Sequence, residues 1–348
     1  MASMKSLISK GLLTLVESGM FEWLGASARS SNVPIFMLHR FEDVERGVSG
    51  HSIGLLRRAL LWLQENNYNV ISLDCLIDAL DGKADLPKRA VVFTIDDGFI
   101  EQVELAAAVF EDFGYPVSIF LITAFSSEKS WPWDYQIEYI LNKTAYERLS
   151  FSFGNESITV NLAADADTRK HATRRLRNVL KCLPFDEVTS HVQRIAYEAN
   201  VDIDAPNLES YRPITWARAR ASESPRVRFG PHSEQHAILH WQSSEVSFRE
   251  IFNSKSAVES ELRYPLNIFC YPTGRKNIDF DLREMDIVKN LGMRAGLSVT
   301  PGYVNLTKHG AEEHRYCLPR FGFPSDMEHF IQLCSWIELM KEKLRGNV

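Results

Sequence analysis

The sequence has no paired cysteines, no basic tract and no apolar run long enough to cross a bilayer, and each absence narrows its reading. Its five cysteines (Cys75, Cys182, Cys270, Cys317 and Cys334) are scattered, odd in number and free of any Cys-x-x-Cys pair. That usage points to reduced thiols rather than a disulfide framework. Lys and Arg total 39 against 45 Asp and Glu, a net charge of -6 with no cluster that would track a phosphate backbone. Nucleic acid is therefore not an expected partner. Near the N-terminus, Lys5, Lys10 and the run Gly11–Val16 resemble the start of a secretory signal, but Glu17 cuts the run short and Gly25-Ala26-Ser27-Ala28 is a poor cleavage site. An amphipathic helical segment over residues 1–32 is expected instead. Nothing else approaches the roughly 18–20 continuous apolar residues of a membrane span. A cytoplasmic chain without a clear membrane span is the expectation, with peripheral membrane contact or export left open. No internal repeat and no low-complexity segment is present.

What the chain does have is 45% hydrophobic content over 348 residues, enough for one large core. Val33–Leu38 reads as a buried strand that delivers His39 at its end. Ile53, Leu56, Leu60 and Leu63 recur at helical spacing, and Val70–Leu73 follows as a strand. Ala90–Ile95 is a second buried strand running into Asp96-Asp97-Gly98, then a helix is expected over Glu101–Phe113 and a strand over Val117–Ile122. Strands alternating with helices predict a parallel α/β sheet or barrel over residues 33–348. The stretch from about 126 to 213 breaks that rhythm with aromatics (Trp131, Trp133, Tyr135, Tyr139), a hairpin-like pair around Gly154-Asn155 and two helical segments. It reads as a mixed α/β insertion packed beside the barrel. The alternation resumes with Val227–Phe229, Asn267–Tyr271 and Arg294–Val299 as strands, and a closing helix from Ser325.

Two groups of residues carry chemistry. In Asp96-Asp97-Gly98 two carboxylates leave the C-terminal end of an apolar strand, which is where α/β barrels place their active sites. A bend there lets both face one pocket, so that one binds a metal while the other accepts a proton. The second group, His232-Ser233-Glu234-Gln235-His236, also follows a short strand and sets two imidazoles four residues apart. On a helical turn that spacing puts both on one face. Two His and one Asp make a facial triad with positions left for water and substrate.

Thr94–Phe99 (TIDDGF) and His232–His236 (HSEQH) resemble the two hallmark motifs of the polysaccharide deacetylase, or NodB-homology, family. Leu38–Phe41, Phe269–Gly274 and Leu318–Arg320 resemble further segments of the same family in the expected order, so the likeness covers residues 33 to 323. The resemblance implies a distorted (β/α) barrel of about seven units, one divalent metal ion, Zn2+ before Co2+ or Ni2+, and removal of acetyl from an N-acetylated saccharide. A bacterial surface polysaccharide or its precursor is the substrate class it implies. Carried onto this chain, Asp97, His232 and His236 are the metal ligands and Asp96 the base. The Tyr271 N–H is then a candidate oxyanion donor, since Pro272 has none. Trp131, Trp133 and Tyr135 are candidates for a sugar-stacking wall.

The chain also departs from the better-known branch of the family, which carries an Arg in the third motif and a Leu-x-His in the last. Cys270 and Tyr271 stand near the first position, and Leu318-Pro319-Arg320 has no His at the second. His39 is the candidate acid in its place, or a core histidine. Arg320 is the candidate partner that orients Asp96, or one half of an ordinary salt bridge. His309 and His314, in a polar stretch, read as surface residues. Two other functions stay open from the sequence. One is a metal-independent cyclic-amide or ureide hydrolase on the same barrel, and the other a non-catalytic glycan-binding module.

Overall fold

Short runs of β-branched and aromatic residues build the central sheet, and they are buried on both faces as parallel strands covered by helices must be. The computed structural model describes residues 31–153, 156–162, 165–203, 209–306, 312–335 and 338–339. The N-terminal segment up to residue 30, the Gly154-Asn155 turn and His309 lie outside the described residues. Strand β1 (Asn32–Leu38) pairs in parallel with β3 (Ala90–Ile95), which also carries the short β2 (Asn69–Val70). β3 pairs with β4 (Val117–Leu121), and β4 with β7 (Val227–Pro231), again in parallel. Between β4 and β7 lie β5 (Arg148–Phe153) and β6 (Glu156–Asn161), an antiparallel hairpin apart from the main sheet.

The sheet curls toward closure. Leu266 N–H donates to Phe229 C=O at 2.8 Å, which sets β8 (Ile268–Cys270) beside β7, and β8 pairs in parallel with β9 (Ala295–Leu297). Leu297 then bridges to Leu318, and three residues on β11 (Phe321–Gly322) pairs with β1. The round β1-β3-β4-β7-β8-β9, completed by the Leu318–Gly322 segment, is the distorted barrel of about seven staves that the motif order implied. β10 (Tyr303–Asn305), not foreseen in the sequence, lies antiparallel on the lower half of β1.

Helices cover the outside, and side-chain caps set the start of several of them. Ser52 caps α1 (Ile53–Glu65) and Ser72 caps α2 (Leu73–Leu80), each accepting a backbone N–H of the first turn. The expected helix after Asp96-Asp97 is a π-helical turn, Gln102–Ala106, that runs into α3 (Ala107–Asp112), and the short α4 (Thr123–Ser126) follows β4. Such a π-helical turn is a frequent mark of functional sites. Here it lets the Gln102 side chain reach back: its Nε2 donates to Asp96 C=O at 2.5 Å and His39 C=O at 2.9 Å. Its Oε1 accepts the Gly98 N–H at 3.2 Å. One amide thus ties the ends of β1 and β3 together.

The aromatic cluster of the insertion proves to lie largely on a helix, α5 (Trp133–Lys143), which the sequence reading treated only as a cluster. Trp133, Ile137, Ile140 and Leu141 do follow helical spacing and are its buried face. They pack with the hairpin, α6 (Ala166–Leu180) and α7 (Phe185–Glu198) into a hydrophobic core of their own, joined by Ile238 from the loop beyond His236. Further on, α8 (Trp216–Ser222), α9 (Ser244–Glu261) and α10 (Leu282–Asn290) alternate with the later strands. No helix among the described residues is long and apolar enough to cross a membrane.

At the strand end, Asp97 and Gly98 both have positive φ, 87° and 86°. A Cβ on Gly98 would lie 2.9 Å from the Leu121 side chain. Gly98→Ala should therefore cost about 1–2 kcal/mol from backbone conformation alone, with the Leu121 contact adding to it. Urea unfolding of variant and wild type measures the difference.

Candidate active site

β3 delivers Asp96 and Asp97 to the carboxyl end of the barrel, and both are buried, at 1% and 3% relative exposure. Adjacent strand residues point to opposite faces, but the left-handed conformation of Asp97 turns the chain so that each carboxylate finds different partners. Asp96 meets Arg320, which is fully buried. The guanidinium is bidentate: Nη1 donates to Asp96 Oδ1 at 2.9 Å and Nη2 to Oδ2 at 2.8 Å. Arg320 is itself fixed, with Nε donating to Ser298 C=O at 2.8 Å and Nη1 to Thr94 Oγ1 at 3.0 Å. Burial alone would raise the pKa of Asp96, yet the Arg320 charge, with His232 nearby, holds it well below the usual carboxylate range. The Arg320 pairing thus favours the ionised form of Asp96.

Asp97 faces the histidines. Its Oδ1 lies 3.5 Å from His232 Nε2 and 3.8 Å from His236 Nε2. These three residues form a buried group whose ligand atoms lie within 4.8 Å of one another. The donor set fits a divalent cation on two counts. Ligands on a tetrahedral ion at about 2.1 Å stand roughly 3.4 Å apart, near the separations seen and too long for hydrogen bonds. His232 Nδ1 lies 2.8 Å from Cys270 C=O, and a carbonyl only accepts, so that nitrogen carries the proton and Nε2 presents its lone pair. A second group, Asp96, His232 and Cys270, is also close enough to share an ion, but the Arg320 guanidinium sits 3.2 Å from Cys270 Sγ and opposes a cation there.

The His232–His236 segment is not the helical turn that its spacing suggested. Ser233 and His236 have φ of 63° and 62°, and the chain forms an irregular loop that brings both Nε2 atoms to Asp97 by a different route. Glu250, from α9, holds this loop by accepting the Glu234 and Gln235 N–H groups at 3.1 and 2.9 Å. Glu234 and Gln235 are accordingly half-buried rather than solvated. Burial pushes the Glu250 carboxyl up to about 7.

The remaining expected site residues are divided. His39 is close, with Nε2 3.9 Å from Asp96 Oδ2 and its side chain 39% exposed, so it lies between Asp96 and solvent. Tyr271 is corrected as an oxyanion donor, because its N–H already donates to Leu297 C=O at 3.2 Å in the sheet. Its ring is buried and stacks on Phe280 at 3.7 Å. Trp133 is corrected as a sugar platform: it is 4% exposed and its Nε1–H donates to His236 C=O at 3.0 Å. Trp131 is half-buried against Tyr139 and Tyr211. With Trp133, Gln136, Tyr211 and Gln235 it borders a cavity of about 480 Å³ beside the triad rather than on it. Missed from sequence were Gln102, Cys270 as a neighbour of Asp96, Asp134, and the contact between Tyr135 and Asp97. Asp134-Tyr135, beside the aromatics, and Cys270, within Phe269–Gly274, stood in stretches already singled out; Gln102 did not.

The architecture and site together define a distorted α/β barrel with a carboxylate-histidine pocket at its carboxyl end. No family model and no curated protein matches the sequence. Solved structures share the fold at low identity. The deacetylase PplD of Streptococcus pyogenes, solved with acetate, is 16% identical, with 87% of this chain and 98% of that one covered and a TM-score of 0.56. IcaB from Ammonifex degensii is 12% identical over 89% and 98% of the two chains, with a TM-score of 0.53. The deacetylase domain of BpsB from Bordetella bronchiseptica is 12% identical over 84% and 97%, with a TM-score of 0.50.

Two expectations follow. Arg320→Met strands a buried charge and should cost about 3–5 kcal/mol in urea unfolding, part of it recovered when Asp96→Asn is added. Glu250 binds its proton more tightly folded, near 7, than unfolded, at about 4.3. Its contribution to stability should therefore fall as pH rises through that window. Glu250→Gln keeps an acceptor for both N–H groups without the titration, so its stability relative to wild type should rise with pH across the same window.

Proposed function

We propose that the protein is a metal-dependent polysaccharide deacetylase of the NodB-homology type, hydrolysing the N-acetyl group of a sugar in a surface polysaccharide or its precursor. The observation that carries this reading is the meeting of Asp97, His232 and His236 in one buried group beside an Asp96 clamped by Arg320. The fold shared with PplD, IcaB and BpsB supports it, as does the match of both hallmark motifs to the residues that converge.

Asp97 Oδ1 and the two Nε2 atoms would hold the ion. A divalent cation at that position supplies Lewis-acid polarisation of the acetamide carbonyl and a water of lowered pKa. Asp96 is the base. Its ionisation is secured by Arg320, and the bidentate contact fixes its plane, so that the carboxylate is ready to take a proton from the attacking water. His39, 3.9 Å from Asp96 Oδ2 and partly open to solvent, is placed to return a proton to the departing amine. The balance is one water added to the amide, with acetate and the free amino sugar released. Zn2+ suits the two-imidazole, one-carboxylate donor set.

The direct test combines metal content with acetate release from N-acetylated oligosaccharides supplied with Zn2+, Co2+ or Ni2+. Wild type should hold close to one ion and release acetate. His236→Ala should lose the ion. Asp96→Asn should keep it while turnover falls about 10²–10⁴-fold, the range of a general base. Full turnover in Asp96→Asn would remove Asp96 as the base. An apo wild type under every metal supply would favour the metal-independent hydrolase instead.

A further inference from the structure

The insertion does more than sit beside the barrel. Its helix α5 begins against the proposed metal ligands, and its first three residues each touch one of them. Trp133 Nε1–H donates to the backbone C=O of His236 at 3.0 Å. Asp134 Oδ1 lies 3.3 Å from His236 Nδ1, and neither of these buried atoms has another hydrogen-bond partner. Tyr135 OH donates to Asp97 Oδ2 at 2.9 Å, on the oxygen that does not face the histidines. Arg177 of α6 secures the start of α5 from behind, with Nε donating to Asp134 C=O at 2.7 Å and Nη2 to Glu138 at 2.9 Å.

We infer that Asp134 and Tyr135 are positioning residues for the metal, so that the inserted helix sets the affinity of a site whose three ligands all come from the barrel. The inference rests on the metal-dependent reading above. The chemistry is that of ligand orientation. A carboxylate facing His236 Nδ1 keeps the proton on that nitrogen and the lone pair on Nε2, directed toward Asp97. Cys270 C=O performs the same service for His232. The Tyr135 hydroxyl occupies Asp97 Oδ2, which leaves Oδ1 as the oxygen for the ion and stops the carboxylate from rotating. All three ligands are thus held by partners outside the triad, two of them from the insertion. The Tyr135 ring packs on Phe99 at 4.7 Å, so the hydroxyl is fixed by the aromatic core rather than by a mobile side chain.

The test measures affinity of purified apo-protein for Zn2+ by competition with a chromophoric chelator, together with the visible absorption of the Co2+ form and thermal unfolding without metal. Tyr135→Phe keeps the ring and removes only the hydroxyl, and Asp134→Asn keeps the shape and removes the charge. Each should weaken Zn2+ binding about 10–100-fold, the range for such supporting groups, and alter the Co2+ spectrum. Their apo unfolding should match that of wild type. Ile137→Ala, in the core of the same helix, is the control for a purely structural effect. It should lower the unfolding temperature and leave the affinity of the folded protein intact. Wild-type Zn2+ affinity in both Tyr135→Phe and Asp134→Asn would overturn the inference while leaving the metal site standing. Loss of affinity in Ile137→Ala equal to theirs would reduce the helix to a scaffold. Absence of Zn2+ binding by wild type would overturn the metal-dependent reading itself, and this inference with it.

Discussion

Two successive carboxylates, Asp96 and Asp97, are buried at the end of one strand, and the rest of the site is a response to that fact. A buried carboxylate that stays ionised needs a compensating charge or several hydrogen bonds within reach. Asp96 has the buried guanidinium of Arg320, contributed from more than two hundred residues further along the chain. Asp97 has the Tyr135 hydroxyl and two imidazoles, which complete a cradle for a cation. Like charges side by side are tolerated because the positive φ at Asp97 sends them to separate partners.

This division of partners separates two tasks that adjacent residues would otherwise share. Arg320 makes Asp96 a fixed anion, and the same guanidinium crowds the Cys270 thiol, so a cation is disfavoured on the Asp96 side. The histidine loop, irregular and pinned by Glu250, places its Nε2 atoms on the Asp97 side. Asp96 and Asp97 are therefore neighbours in sequence with distinct electrostatic surroundings. Gln102, in the π-helical turn, holds the strand ends that make this possible, by bonding the carbonyls of both His39 and Asp96.

The role of the insertion follows from where its core meets the barrel. Ile238, just beyond the histidine loop, is buried in the insertion's own hydrophobic cluster, and α5 starts at the loop's back. Trp133 belongs to that cluster, and its indole N–H bonds to the His236 carbonyl, a single contact between the insertion's core and the histidine loop. A segment whose sequence names no substrate thereby gains a defined contact with the candidate site.

The barrel strands, most of the helices and the grouping of Asp97 with His232 and His236 were legible in the sequence, because each is written in local patterns and motifs. Apolar runs, caps and strand-end motifs are written within a few residues of one another. Arg320 was legible as a candidate, since the absence of the usual Arg near Cys270 called for a substitute. The roles of Tyr271 and Trp133 were misread because spacing does not say which N–H groups the sheet or a neighbouring carbonyl has already claimed. By itself the sequence determined alternating strands and helices, and its motifs, through the family resemblance they carry, implied a barrel with a carboxylate-histidine pocket. Only the tertiary structure decided that a loop rather than a helix brings His236 in, and that Asp134 and Tyr135 stand behind His236 and Asp97. Those outcomes depend on contacts between residues tens to hundreds of positions apart, and no local pattern records which distant groups will be driven together when the core is buried.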